Sequence, residues 1–385
     1  MKGRILAPAE YSRELEALRG LAILLVFFYH GASMLLGGHR FTGQQVSLPG
    51  AFLYAGHTGV TLFFVLSAFL LSRPFLAEAR GEGRVSRRAF YRRRALRILP
   101  LYWVAVVLGT LASAASLADL WRAVPHLLFL SSLPGVPEMF PYGSVWWSLG
   151  TEVQFYLLLP LLPLALRAPP LAAAALLLYA VAFAVLAEGL SPALLGSRFS
   201  LAWRAPSFLA GIAAAWAYER WGPRFALRPA PRRWLRLRPG DLGVLGGLAA
   251  LGLLLRWVVW KGFLEAERER PEWHVLEAAL WACVVLALLF ASRATRALLA
   301  NRALEWVGRI SYSVYLVHLP VLFFVLYPQI ARGRPEAWDA RSLAWLGLAL
   351  VLCLALSAAS YRFVERPFLA RRRGHSGAPA AGSGS

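Results

Sequence analysis

An all-α, polytopic membrane helix bundle of about ten transmembrane spans, with both termini cytoplasmic, is the fold class predicted by three observations. The 385-residue chain is 58% hydrophobic with a mean hydropathy of +0.55, too apolar for an ordinary soluble domain. Apolar runs of about 17–22 residues, each long enough to cross a bilayer, fill most of it. The basic residues divide unevenly among the segments between those runs, and this sets an orientation.

The runs fall at 17–36, 52–72, 98–116, 145–166, 171–190, 201–218, 241–260, 274–291, 310–330 and 342–361. With the amino terminus in the cytoplasm, segments 1–14, 73–97, 167–170, 219–240, 292–309 and 362–385 face inside. They hold 29 of the 41 Lys and Arg residues, whereas the outside loops hold nine. Arg19, Arg204 and Arg256 sit within or at the ends of spans. This positive-inside pattern fits an even number of spans and a cell inner (plasma) membrane protein in contact with anionic lipid. It accounts for most of the net charge of +21 and argues against nucleic acid as a partner.

The first run carries Arg19 at its start and no small-residue cleavage pattern after it, so it reads as a retained span. Outside loop 117–144 is turn-rich, with Pro125, Pro134, Pro137 and Pro141. Inside loop 219–240, with Arg232, Arg233, Arg236 and Arg238, reads as an interfacial connector, and the alternating charges of 261–273 read as a solvated helix end. Cys283 and Cys353 lie in apolar runs and read as packed side chains. Residues 1–370 are expected to form one transmembrane domain. Residues 371–385 are expected to form a tail, first basic and then disordered from Ser376 on.

Ionisable groups inside these runs are the candidates for chemistry. Arg19 and His30 are eleven residues apart, about three helical turns with roughly 20° left over, so they share one face about 16 Å apart along the axis. Glu152 lies about 12 Å in from the opposite surface, which brings it near the level of His30 in a core of about 30 Å. Ser311, Tyr315 and His318 are spaced i, i+4, i+7 and share a third helix face. Arg93, Arg94 and Arg97 fall within about one turn at the inner surface, where guanidinium groups can pair phosphates bidentately. The structural alternatives are polar residues that bind helices together and arginines that only anchor the inner face. A neutral imidazole can take a proton from a hydroxyl, and a carboxylate can orient it. No HExxH, CxxC pair or Walker loop supports a metal or nucleotide-hydrolysis reading.

From Leu15 to Phe368 the chain resembles the acyltransferase-3 family of integral membrane acyltransferases. The resemblance rests on Leu15-Glu16-Ala17-Leu18-Arg19-Gly20 through His30 and on Gly56 to Phe69 with Leu66-Ser67-Ala68-Phe69. It continues with Phe90 to Trp103 around Arg93, Arg94 and Arg97, and with Trp147-Ser148-Leu149, Glu152, Phe155 and Tyr156. Ser311-Tyr312 with Tyr315-Leu316 and His318, then Glu365-Arg366-Pro367-Phe368, close it. Glu16 stands where the family usually has Asp, and Ala68 where it usually has Gly.

The resemblance implies transfer of an acyl group, usually acetyl, from cytoplasmic acyl-coenzyme A to a hydroxyl of a sugar, glycan or lipid-linked carbohydrate. It puts the essential Arg and His at Arg19 and His30, the donor-binding block at Arg93, Arg94 and Arg97, and the fourth-span carboxylate at Glu152. In the expected mechanism His30 acts as general base or briefly carries the acyl group, and Glu152 orients or stabilises it. Ser67, Tyr315 and His318 are candidate oxyanion or acceptor contacts. No metal is expected. Many relatives carry an extracytoplasmic catalytic domain; none is apparent here, so a partner enzyme outside the membrane is one expectation. A transporter or flippase of an acylated or lipid-linked sugar is the alternative. It has less support, because no inverted repeat or pair of broken half-helices is visible.

Overall fold

The apolar runs become helices because a chain in hydrocarbon must satisfy its backbone hydrogen bonds within itself. The computed structural model describes residues 12–37, 41–133, 135–136, 139, 141–188, 200–226, 238–270 and 272–371. Among the described residues there is no strand. The expected tail from 372 on and the middle of the expected connector, 227–237, lie outside them.

The main helices are α1 (Arg13–Ala32), α2 (Thr58–Ala79), α3 (Arg87–Ser113), α4 (Trp147–Leu158), α5 (Pro169–Glu188) and α6 (Leu201–Ala226). They continue with α7 (Pro239–Lys261), α8 (Trp273–Leu289), α9 (Arg302–Arg309), α10 (Ser311–Ile330) and α11 (Ala340–Ser360). Among the described residues seven helical stretches are long and apolar enough to cross a membrane: Arg13–Gly37, Thr58–Ala79, Arg87–Ser113, Trp147–Arg167, Pro239–Lys261, Ser311–Ile330 and Ala340–Ala370. The remaining three expected runs form α5, α6 and α8, so the protein is a multi-pass helix bundle.

Two boundaries differ from the expected runs in ways that matter for the site. The run at 52–72 breaks: Leu48–Tyr54 is a separate short helix packed on α7, and α2 begins at Thr58 against α1 and α6. The third helix begins at Arg87, where the Ser86 side chain caps its amino terminus, so the whole basic block is helical.

α1 is the central strut and packs on α2, α9 and α10. Its contact with α9 is backbone to backbone. A Cβ on Gly20 would lie 2.1 Å from the Leu304 carbonyl oxygen, and one on Gly308 would lie 1.8 Å from the Glu16 carbonyl oxygen. Only glycine fits at either position, and this locks the register of Arg19 against the start of α10. Two apolar cores flank α1 and α2. One gathers Phe27, Tyr102, Trp146, Tyr315 and Leu322; the other gathers Leu18, Phe69, Leu251 and Trp281.

Candidate active site

Arg19 and His30 both meet α10, as residues on one face of α1 should. Arg19 Nη2 donates to Ser311 Oγ at 3.3 Å, and His30 Nδ1 lies 3.3 Å from His318 Nε2. Ser311 and His318 are two helical turns apart on α10, so the two helices run side by side between these contacts.

The hydrogen-bond partners assign the protons of the histidine pair. His318 Nδ1 faces two carbonyl oxygens, Tyr315 at 2.8 Å and Val314 at 3.2 Å, so it carries the hydrogen and leaves Nε2 as an acceptor. His30 Nδ1 faces that acceptor and the Val26 carbonyl at 3.0 Å, so its hydrogen is on Nδ1. The lone pair of His30 is therefore on Nε2, which takes no hydrogen bond from any described residue and is not sealed from solvent. His318 is fully buried and His30 half-buried.

Glu152 has different neighbours from those its depth suggested. Its Oε1 accepts from Ser67 Oγ at 2.5 Å and from the Tyr156 hydroxyl. No hydrogen bond joins it to His30 among the described residues. Its charge acts instead on Arg19 and Arg94. Arg94 lies over the Tyr156 ring at 5.8 Å, and Arg97 repels both Arg19 and Arg94. Arg93 is half-buried beside Arg94. Glu16 pairs with Arg19 at 3.8 Å, so the longer side chain at this position still reaches the guanidinium. The buried Glu365 accepts from Ser313 and acts on Arg97 and Arg19. Three guanidinium groups from α1 and α3 thus converge with carboxylates beside them, which makes the region receptive to a polyanion.

The expected oxyanion donors have no spare hydrogen. Ser67 donates to Glu152. The Tyr315 hydroxyl donates to the Val145 carbonyl at 2.7 Å, with Ser148 Oγ 2.6 Å away. His318 commits its hydrogen to backbone carbonyls. Among the described residues no group of three or more His, Cys, Asp or Glu is arranged to hold a metal ion.

A second buried ionic cluster was missed in the sequence. Thr61 on α2 donates to Glu277 Oε2 at 2.9 Å, His274 Nδ1 lies 3.4 Å from the same oxygen, and Arg204 Nη1 lies 3.1 Å from His274 Nδ1. All four side chains are buried. The available signal was His274 and Glu277 at i, i+3 inside an apolar run, with Arg204 already visible inside another.

A multi-pass helix bundle that carries His30 and Arg19 on one helix and Arg94 and Arg97 on a neighbouring one defines an integral membrane protein with ionisable groups set inside its spans. The chain belongs to the acyltransferase-3 family: the model described as an acyltransferase domain matches residues 12–362. It is similar to the peptidoglycan O-acetyltransferase OatA of Listeria monocytogenes, with 24% identity over 93% of this chain and 56% of that protein. It is also similar to the O-acetyltransferase OatA of Staphylococcus aureus, with 24% identity over 94% of this chain and 58% of that protein. The chain therefore spans a little over half the length of these relatives. No solved structure matches it.

Proposed function

We propose that the protein moves an acetyl group from cytoplasmic acetyl-coenzyme A to a hydroxyl of an envelope glycan or lipid-linked sugar, in the inner (plasma) membrane with both termini cytoplasmic. The observation that carries this reading is the open Nε2 of His30 on the helix face that also bears Arg19. Arg19, Arg93, Arg94 and Arg97 hold the coenzyme phosphates at the inner end. The pantetheine arm runs along α1 toward His30. His30 Nε2 takes the proton of the attacking hydroxyl, the oxygen bonds to the thioester carbon, and the thiolate leaves with its electron pair. His318 Nε2, accepting from His30 Nδ1, stabilises the imidazolium while it carries the extra proton. Glu152 holds Ser67 and Tyr156 in place and balances the arginines around the bound phosphates. The names of both relatives support acetyl as the group, and that of the Listeria monocytogenes protein, a peptidoglycan O-acetyltransferase, supports a glycan as the acceptor class.

The test is a His30→Ala variant, checked for normal folding, in membranes supplied with labelled acetyl-coenzyme A. Acetylation of envelope glycan, read by mass spectrometry, should be lost, and near-normal turnover would sink the mechanism.

A further inference from the structure

Beyond His30, at the end of α1 away from the arginines, lies a cavity of about 280 Å³. Resting on the transfer reaction proposed above, we propose that this cavity binds one pyranose ring of the acceptor. His30 then stands between an anionic donor site and a sugar site.

The volume is below the range of about 300–1,000 Å³ typical of pockets for drug-sized ligands, and suits a single substituted ring. The walls are aromatic: Tyr29, Phe41, Tyr54, His57 and Phe263 line the cavity. Phe41 and Tyr54 are stacked at 3.7 Å, and the His57 ring stands edge-on to Tyr29 at 5.4 Å and to Phe263 at 4.7 Å. Aromatic faces receive the C–H faces of a sugar, while a few hydroxyl groups such as those of Ser33 and Thr42 meet its polar edge. Among the described residues no Lys, Arg, Asp or Glu lines the cavity, so it suits a neutral ligand and not the donor phosphates.

The cavity is built in advance and sits beside the proposed base. Tyr29 and His30 are consecutive, with ring centroids 5.1 Å apart. At Ser33–Gly37 the helix widens into a π-helical turn, a feature frequent at functional sites, and both end residues of that turn line the cavity. The roof is tied down by Gly43 N donating to the Trp260 carbonyl at 2.7 Å, and Tyr54 is held by Trp338 Nε1 donating to its hydroxyl at 2.8 Å. The sequence did not single out these residues because they come from three separate stretches of the chain.

The experiment uses the full chain in lipid nanodiscs with two probes, a fluorescent N-acetylglucosamine tetramer and coenzyme A. Thr42→Trp fills the mouth from an exposed loop position, and Tyr54→Ala removes one aromatic wall. Each variant is expected to raise the tetramer Kd at least tenfold while keeping the thermal protection given by coenzyme A, which also reports that it is folded. The double variant Arg94→Ala, Arg97→Ala is expected to do the reverse. Tetramer binding that is absent in the natural protein, or unchanged in Thr42→Trp, overturns the proposal. The two readings fail separately. If the cavity variants lose the tetramer but His30→Ala still transfers acetyl, the sugar site stands and the base assignment falls. If His30→Ala is inactive but the tetramer ignores the cavity, only the sugar site falls.

Discussion

Two clusters of ionisable residues inside this bundle, one around His30 and one around Glu277, differ in closure. Around Glu277 the cluster is sealed in: Thr61 and His274 contact Glu277 Oε2, Arg204 contacts His274, and Glu277 Oε1, which takes no hydrogen bond from a described residue, is itself buried. Around His30 the partners leave one nitrogen open, and Glu152 spends one oxygen on Ser67 and Tyr156 while its other takes no hydrogen bond from a described residue. A charged residue in a membrane helix is expensive in both places. What separates the two clusters is whether the unpartnered atom is sealed in, which polarity alone does not reveal.

The largest break in this comparison comes at His30. Removing a positioned general base costs about 10²–10⁴ in rate, so His30→Ala should lower acetyl transfer by that factor with the thermal unfolding temperature little changed. Glu277→Ala should do damage of the other kind. It leaves Thr61 and His274 buried without the carboxylate they contact, and removing one partner of a buried hydrogen bond costs about 1–3 kcal/mol. Thermal unfolding in detergent should begin well below that of the natural protein. If Glu277→Ala were as stable as the natural protein, the division of roles between the two clusters would fail.

A finer test separates His30 from its partner. In the proposed transition state His318 accepts from an imidazolium, and a hydrogen bond to a charged group contributes about 1.5–3 kcal/mol. His318→Ala should therefore lower transfer roughly ten- to a hundredfold, less than His30→Ala, with coenzyme A protection unchanged. Equal losses in the two variants would mean that the pair acts as one unit. A normal rate in His318→Ala would leave Val26 as the only group orienting the base.

Much of this was legible in the sequence, and the remainder was not for a geometric reason. Spacing along one helix is fixed by 3.6 residues per turn, so the sequence alone sets Arg19 and His30 on a common face, and both do meet α10. Depth can also be counted from a helix end, but depth does not say which helices are neighbours. Glu152 was expected beside His30 and lies instead against Ser67, Tyr156 and the arginines. His318, 288 residues away from His30 in the chain, is the side chain that reaches it. The arginine block was legible as a cluster, and its early helical start became visible only with the cap at Ser86.

The smallest predicted effect concerns Ala68, one of the two motif positions at which the sequence differs from the pattern of the family it resembles. Ala68 replaces a usual glycine on α2, and the structure accommodates its methyl by placing a glycine opposite it. A Cβ on Gly211 of α6 would lie 2.7 Å from the Ala68 Cβ and 2.4 Å from the Val65 carbonyl oxygen. The two residues thus form a small–small contact in which α6 carries the glycine, and this brings the helix backbones close without a void. Gly211→Ala should overpack the contact and destabilise the bundle by about 1–3 kcal/mol. Ala68→Gly alone should cost less, as a small cavity. Combined, Ala68→Gly relieves the clash between methyl groups but not the one with the Val65 carbonyl. The double variant should therefore recover part of the loss in thermal stability, and the two substitutions should couple in a double-mutant cycle. Strict additivity would show that the Val65 carbonyl alone sets the approach of α6 to α2, and that the alanine at 68 is a neutral replacement.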